Sequence, residues 1–404
     1  MSINYSRPAA GISRAYILAT ERSCFEHLWG MTLVERLLRQ LSAIQIGQAT
    51  IICATETKKE GFLRPDFVQW TTITVETLAA NPESPENSIP DFIGRALVID
   101  ARVVLDTRIL QFLNNSDHDL RIDTKDRFVG ATTAGGYTDP LIDLADESDA
   151  GTYIQQTRKQ VDAFIIPILS KDDLRRAEQT TFSAVYKGAT DFITKFVFFY
   201  PARWAVRVIS PTFITPNQVT LVSMVLSFGA IIPFFSGNYW TATLMGLAMA
   251  FLDTVDGKLA RVTLRTSKSG DLLDHVSDFV YLLLWYIGLG WSLSEGELLN
   301  FSNPVAQTHA LLIATFLADK IITGLYKRRY GYELHDYTRL DYIVRIFIAR
   351  RNPFLVSMLI ALMLGDARIG LLMITVWYVL TLAFHLVRFI YLPISGARHQ
   401  FESS

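Results

Sequence analysis

From about residue 219 to residue 391 the chain is a succession of apolar runs, and this restricts its fold more than any other feature. A helix needs about 20 mostly apolar residues to cross a bilayer. Six stretches approach that requirement, near 218–236, 239–262, 271–293, 306–326, 353–366 and 368–391. The basic residues sort with them as the orientation rule requires. Lys258, Arg261, Arg265 and Lys268 fall between the second and third runs, and Lys327, Arg328, Arg329, Arg339, Arg345, Arg350 and Arg351 between the fourth and fifth. The alternate loops, 236–238 and 294–305, hold no Lys or Arg, and the longer one carries Glu295 and Glu297. The pattern predicts an all-α, six-helix transmembrane domain over 218–404, multi-pass, with both termini on the cytoplasmic side. Tyr239, Trp240 and Trp291 suit the far interface as aromatic anchors.

Against this background the most informative residues are acidic. Asp253-Thr-Val-Asp256-Gly257-Lys-Leu-Ala260-Arg261 ends the second run, and after eight residues Gly270-Asp-Leu-Leu-Asp274-His-Val-Ser-Asp278 opens the third. Carboxylates are costly in hydrocarbon, so a cluster at such helix ends is a functional-site hypothesis by default. Asp253, Asp256 and Ala260 share one helix face, and Asp274 and Asp278 share a face of the next. A turn from Thr266 to Gly270 would let two helices aim four carboxylates at one point. Left alone they would repel. One divalent cation or a pair would neutralise them, and all-oxygen ligation favours Mg2+ or Mn2+ over zinc.

The segment resembles the signature of the CDP-alcohol phosphatidyltransferase family, D-x-x-D-G-x-x-A-R, eight residues, then G-x-x-x-D-x-x-x-D. All eight specified positions are matched, and Thr215-Pro216-Asn217-Gln218-Val219-Thr220 resembles a second family element; the likeness covers roughly residues 187 to 392. It implies transfer of a substituted phosphate from a CDP-alcohol donor to an alcohol acceptor with release of CMP, in phospholipid biosynthesis. By resemblance, Asp253, Asp256 and Asp274 ligate metal that bridges the diphosphate, and Asp278 shares a second ion and acts as general base. Gly257 and Ala260 make space for the nucleotide, although small residues also serve helix packing. Arg261 pairs with phosphate, Gly270 allows close approach, and Asn217 and Thr220 hold the cytidine side. The family is often dimeric, which implies a homodimer with the third and fourth helices as interface. A bacterial or archaeal inner or plasma membrane is the expected location, and membrane lipids are expected partners. CDP-diacylglycerol with a polar acceptor such as glycerol phosphate, inositol phosphate or another polyol is the favoured pairing.

The other residues near the motif carry less. His275 reads as a helix-face histidine, and Asp319 and Lys320 as a pair within the fourth helix. The basic loop from Lys327 to Arg351 suits an acceptor phosphate or lipid headgroups, and equally suits topology alone; Arg350 and Arg351 are its residues to follow. Residues 181–217 form a juxtamembrane segment. There Lys187, Lys195, Arg203 and Arg207 alternate with Phe196, Phe198, Phe199, Tyr200 and Trp204, which suits an interfacial helix with its cations toward lipid phosphate.

Residues 1–180 read as a separate cytoplasmic domain. Strand patterns at 14–20, 49–54, 95–101, 128–132 and 163–168 alternate with helical ones such as 32–44, which argues an α/β, Rossmann-like domain with a largely parallel sheet. It resembles a sugar-phosphate nucleotidyltransferase, from Tyr16-Ile-Leu-Ala19, Gly30-Met-Thr-Leu-Val-Glu-Arg-Leu-Leu and Leu97-Val-Ile-Asp100. The phosphate-wrapping Gly-rich turn of that family is replaced by Thr20-Glu-Arg-Ser-Cys-Phe-Glu-His-Leu-Trp29. A degenerate, non-catalytic domain follows, with Asp100 structural. Residues 79–90 read as a surface loop.

Composition excludes little more. A net charge of −1 without a basic stripe gives no reason to expect nucleic acid. The start has no apolar segment of the cleavable-signal type, and Cys24 and Cys53 are expected as buried free thiols. Two alternatives to the phosphotransferase remain: a bifunctional enzyme whose N-terminal half makes its own CDP-polyol, and a transporter with intramembrane carboxylates, which would show internal repeats.

Overall fold

The computed structural model describes residues 12–395 apart from 55–60, 81–87, 117–119, 125–126, 134–152, 155–158, 161–162, 187–189, 266–267, 331–333 and 336–338. The centre of the expected 79–90 loop therefore lies outside the described residues. The chain begins with β1 (Arg14–Ala19), β2 (His27–Leu28), β3 (Met31–Thr32), α1 (Leu33–Ala43), β4 (Gln48–Cys53), α2 (Phe67–Trp70), β5 (Thr74–Ala79) and β6 (Arg95–Asp100). There follow β7 (Val103–Leu105), α3 (Thr107–Asn115), β8 (Leu120–Thr124), β9 (Arg127–Thr133), the short pair β10 (Tyr153–Ile154) and β11 (Lys159–Gln160), β12 (Ile165–Pro167) and α4 (Lys171–Ala184).

The main sheet runs β5-β4-β1-β6-β9-β8. Its first four strands are parallel, and β9 and β8 add an antiparallel edge. In β1 and β4 five of six residues are buried, as expected of parallel strands covered on both faces. The α/β expectation holds. β12 does not join this sheet; it pairs with β7. Cys24 and Cys53 are free and buried.

The C-terminal part is helical: α5 (Phe199–Ile209), α6 (Pro216–Gly229), α7 (Ile231–Phe235), α8 (Tyr239–Val262), α9 (Lys268–Leu293), α10 (Pro304–Tyr330), α11 (Arg339–Phe347), α12 (Arg351–Met363) and α13 (Ala367–Ser395). Six apolar intervals were expected to span, and all six are helical. By length and composition, however, three described helices suffice to cross a membrane: Pro216–Phe235, Pro304–Tyr330 and Ala367–Leu392. α12 is apolar but has 13 residues. α8 carries Asp253, Asp256, Lys258 and Arg261 in its last turns, which lowers its hydropathy. The first span bends between α6 and α7, where Pro233 has no N–H for the helical ladder.

The helices pack around Trp285, which is fully buried and donates Nε1 to Ser227 O at 2.8 Å. Gly246 of α8 is required by this packing: a Cβ there would lie 2.4 Å from Leu355 Cδ2 of α12. A second apolar cluster joins the two halves of the chain, with Leu28, Trp29 and Leu33 meeting Phe182, Val206, Val255 and Val262.

Arg203 and Arg207 both pair with Glu178 of α4, at 3.3 and 2.5 Å, a contact not foreseen. A carboxylate one helix away fixes these cations, while Phe196, Tyr200 and Trp204 remain exposed. Asp319 does not pair with Lys320. Its Oδ1 lies 2.5 Å from His385 Nδ1, because the two residues are adjacent on the helix and point to different sides.

Candidate active site

α8 and α9 bring the two halves of the acidic motif to one guanidinium. Arg351, at the start of α12, donates Nη2 to Asp253 Oδ2 at 2.5 Å and Nη1 to Asp278 Oδ1 at 3.1 Å. The same Nη1 donates to Tyr281 Oη at 2.6 Å, and Tyr281 donates to Asp278 Oδ1 at 2.5 Å. Two carboxylates on different helices thus share one cation. Asp256 turns the other way, toward α6, and accepts from Thr220 Oγ1 at 2.6 Å. The side chains of Asp274 and His275 lie outside the described residues, as does that of Asp271. Gly270 sits within the first turn of α9, which begins at Lys268, so the connection is shorter than the expected Thr266–Gly270 turn.

The small residues of the motif differ from a packing glycine. Among the described residues, a Cβ on Gly257 would meet the Arg261 guanidinium at 3.8 Å, an ordinary contact, whereas at Gly246 it would lie 2.4 Å from Leu355 Cδ2. Ala260 is half-buried. Arg261 donates to Val185 O at 3.4 Å, at the edge of hydrogen-bond range. In the Thr215–Thr220 element most residues have a structural task. Thr215 caps α6, accepting from Gln218 N, while Gln218 Oε1 accepts from Thr215 N, a reciprocal capping box with Pro216 in the first turn. Asn217 is exposed, and Thr220 alone reaches the acidic cluster.

Tyr281 and Asn352 were not foreseen. Tyr281 lies one turn beyond Asp278 on the same face, a spacing that could have suggested it. Asn352 adjoins Arg351 and donates to Asp191 Oδ1 at 2.9 Å and to Thr194 Oγ1 at 3.0 Å. This ties the start of α12 to the juxtamembrane segment. Nothing in the local sequence announces a contact over 161 positions.

Among the described residues, no three His, Cys, Asp or Glu side chains form a group that could hold a metal ion. The donor chemistry nevertheless fits a hard cation. Asp253 and Asp278 converge on one positive group, their donors are all oxygen, and no thiol or imidazole competes among these contacts.

Comparison with known proteins bears on the same helices. Residues 213–387 match the family model described as CDP-alcohol phosphatidyltransferase. The chain is 34% identical over 125 residues to the bifunctional IPC transferase and DIPP synthase of Archaeoglobus fulgidus, covering 28% of this chain and 24% of that protein. It is 40% identical over 65 residues to the archaetidylinositol phosphate synthase of Pyrococcus horikoshii, covering 16% and 35%. Residues 213–387 are a CDP-alcohol phosphatidyltransferase domain. The chain spans about a quarter to a third of the length of these curated relatives. A solved structure, Mycobacterium tuberculosis phosphatidylinositol phosphate synthase in complex with manganese and citrate, aligns at 19% identity with a TM-score of 0.36, covering 48% of this chain and 88% of that one.

A tight turn ends α8 between the two halves of the acidic motif. After α8, Leu264 N donates to Arg261 O and Arg265 N to Ala260 O, the two bonds of a Schellman ending. Leu264 takes the left-handed position with φ +54°, where a residue other than glycine costs about 1–2 kcal/mol. Arg265 then reaches Asp66 of the N-terminal half, Nη2 to Oδ2 at 2.6 Å.

The acidic residue of the N-terminal half is engaged differently. Asp100 Oδ1 accepts from the main-chain N of Arg102 at 2.8 Å, and its other oxygen pairs with the Arg102 guanidinium at 3.2 Å. Glu21 pairs with the same guanidinium. These contacts hold Asp100 in the turn that follows β6.

Proposed function

We propose that this protein is a metal-dependent, integral membrane CDP-alcohol phosphotransferase, multi-pass with six spans, its motif and termini at the cytoplasmic side. The reaction joins an alcohol acceptor to the phosphate of a CDP-linked donor. The acceptor oxygen attacks the β-phosphorus, its proton passes to Asp278, and the bond to the CMP oxygen breaks, that oxygen keeping the electron pair. Asp253, Asp256, Asp274 and Asp278 would hold Mg2+ or Mn2+, which supplies neutralisation of diphosphate charge. Thr220 fixes the rotamer of Asp256 by its hydrogen bond. Arg351 and Tyr281 orient Asp253 and Asp278. Gly257 and Ala260 would leave room for the nucleotide beside α8, and Arg261, Gly270, Asn217 and Thr220 are assigned to the CDP moiety.

The donor is proposed to be CDP-diacylglycerol and the acceptor a polyol phosphate; the name of the Pyrococcus relative supports inositol phosphate as the first acceptor to try. The N-terminal half is proposed to be a degenerate nucleotidyltransferase-like domain. The observation that carries the reading is the meeting of Asp253 and Asp278, from the two halves of the motif, on one cation. The test is CMP release from labelled CDP-diacylglycerol in proteoliposomes with Mg2+ or Mn2+, across inositol phosphate, glycerol phosphate and free polyols. D278N should bind the donor as before and release CMP about 100-fold more slowly or worse. Unchanged turnover would remove Asp278 from the role, and no CMP with any acceptor would remove the function.

A further inference from the structure

Three arginines of the N-terminal half direct their guanidinium groups onto main-chain carbonyls of the helical half. Arg36 donates to Val262 O at 2.9 Å and Arg39 to Thr263 O at 3.4 Å. Arg64 donates to Ser210 O at 2.5 Å and to Thr212 O at 2.6 Å. Val262 is the last residue of α8 and Thr263 its cap, so both carbonyls belong to the set a helix leaves without intrahelical partners. Cations there also meet the negative end of the helix dipole. Arg36 and Arg39 are buried, and Arg39 is held in place by buried Glu35 at 2.5 Å. Asp66 completes the set: it pairs with Arg265 of the turn, and with Arg39 and Arg64 at 3.5 Å each.

What is held is the turn between the two halves of the motif. It contains Leu264 in the left-handed conformation that a Schellman ending requires and leucine does not favour. The backbone before it, its cap and Arg265 after it are each bound by the N-terminal half. The approach is close elsewhere too: a Cβ on Gly30 would lie 2.3 Å from Ser210 O.

We infer that the N-terminal domain serves as a jig for the phosphotransfer site, with Arg36, Arg39 and Asp66 as positioning residues that set the turn at 262–265 and hence the register of Asp253 and Asp256 against Asp274 and Asp278. This rests on the function proposed above, and its test separates the two. Full-length protein in detergent is titrated with Mn2+ by calorimetry, melted, and assayed for CMP release against metal concentration. D66N and R36Q should each weaken Mn2+ binding about tenfold and lower kcat by a similar factor, with donor KM changed less than about twofold. Replacing Leu264 by glycine removes the strain, so L264G added to D66N should recover Mn2+ affinity to within about threefold of the unaltered protein. R14Q, whose partner is Gln48 on an exposed face, should change neither value.

An interface that merely stabilises predicts something else: D66N melts earlier, its folded fraction binds Mn2+ with the original constant, and L264G gives no recovery. That result overturns the inference. An unaltered protein that binds Mn2+ yet releases no CMP from any donor refutes the proposed function, and the Mn2+ constants still decide the inference.

Discussion

The end of β6 and the facing ends of α8 and α9 both present aspartates where nucleotide chemistry would want them, and they differ in how far away the partners come from. Asp100 is bound by a residue two positions along the chain. Such a contact forms as the turn forms, and it uses up the carboxylate. Asp253 and Asp278 meet Arg351 over 98 and 73 positions. Only the assembled helices hold that arrangement, against carboxylate repulsion and the cost of desolvation. A carboxylate satisfied by its own turn is fixed locally, whereas carboxylates gathered from separate helices depend on the assembled bundle.

The largest effect should come from breaking the long-range set. R351Q removes the cation shared by Asp253 and Asp278. CMP release should fall about 100-fold, and the unfolding midpoint by several degrees, since charge-assisted hydrogen bonds contribute about 1.5–3 kcal/mol. R351K restores the charge but not the two-pronged geometry, and should recover little of the rate. Full activity in R351Q would mean that the guanidinium is a bystander.

A smaller effect is expected at Thr220. T220V deletes one hydrogen bond to Asp256, worth about 1.4 kcal/mol or tenfold in rate, while T220S should stay near the original value. Equal rates for T220V and T220S would place Asp256 outside the reacting arrangement.

The comparison sharpens in the N-terminal half, where stability and activity should part. D100N loses the pairing with Arg102 and should cost about 1–2 kcal/mol in unfolding, with CMP release per folded molecule unchanged. The contrary finding would be CTP-dependent pyrophosphate release by the unaltered protein that disappears in D100N. That would restore the bifunctional reading.

Much of this was legible beforehand, and the boundary of legibility is physical. β1, α1, β4 and β6 fall within about two residues of their expected limits, because buried parallel strands and a capped amphipathic helix write their periodicity into the sequence. β5 was missed: it is an edge strand whose residues Thr74, Glu76 and Thr77 interrupt any apolar run. The motif was legible because its spacing is local. Arg351 could be singled out within its basic loop, but its partners, and those of Asn352 and His385, could not, since they lie 66 to 161 positions away and no window of sequence contains both members. Span composition also misleads where charged residues intrude, as in α8, whose acidic end lowers its hydropathy.

The smallest expected effect is chemical and concerns the segment that follows β1. Cys24 lies in the short helical turn Arg22–Phe25, and burial raises its thiol pKa to about 11. The thiolate is the reactive form, so at pH 8 only about one molecule in a thousand would carry it, and reactivity should rise as pH approaches 11. Maleimide labelling of the folded protein at pH 8 should therefore be slow at Cys24, and CTP should not change it. E21Q, which loosens the contact to Arg102, should raise the rate modestly. Fast labelling that CTP suppresses would show a nucleotide seated against this segment, and the contrast between a locally satisfied carboxylate and a gathered set would have to be redrawn.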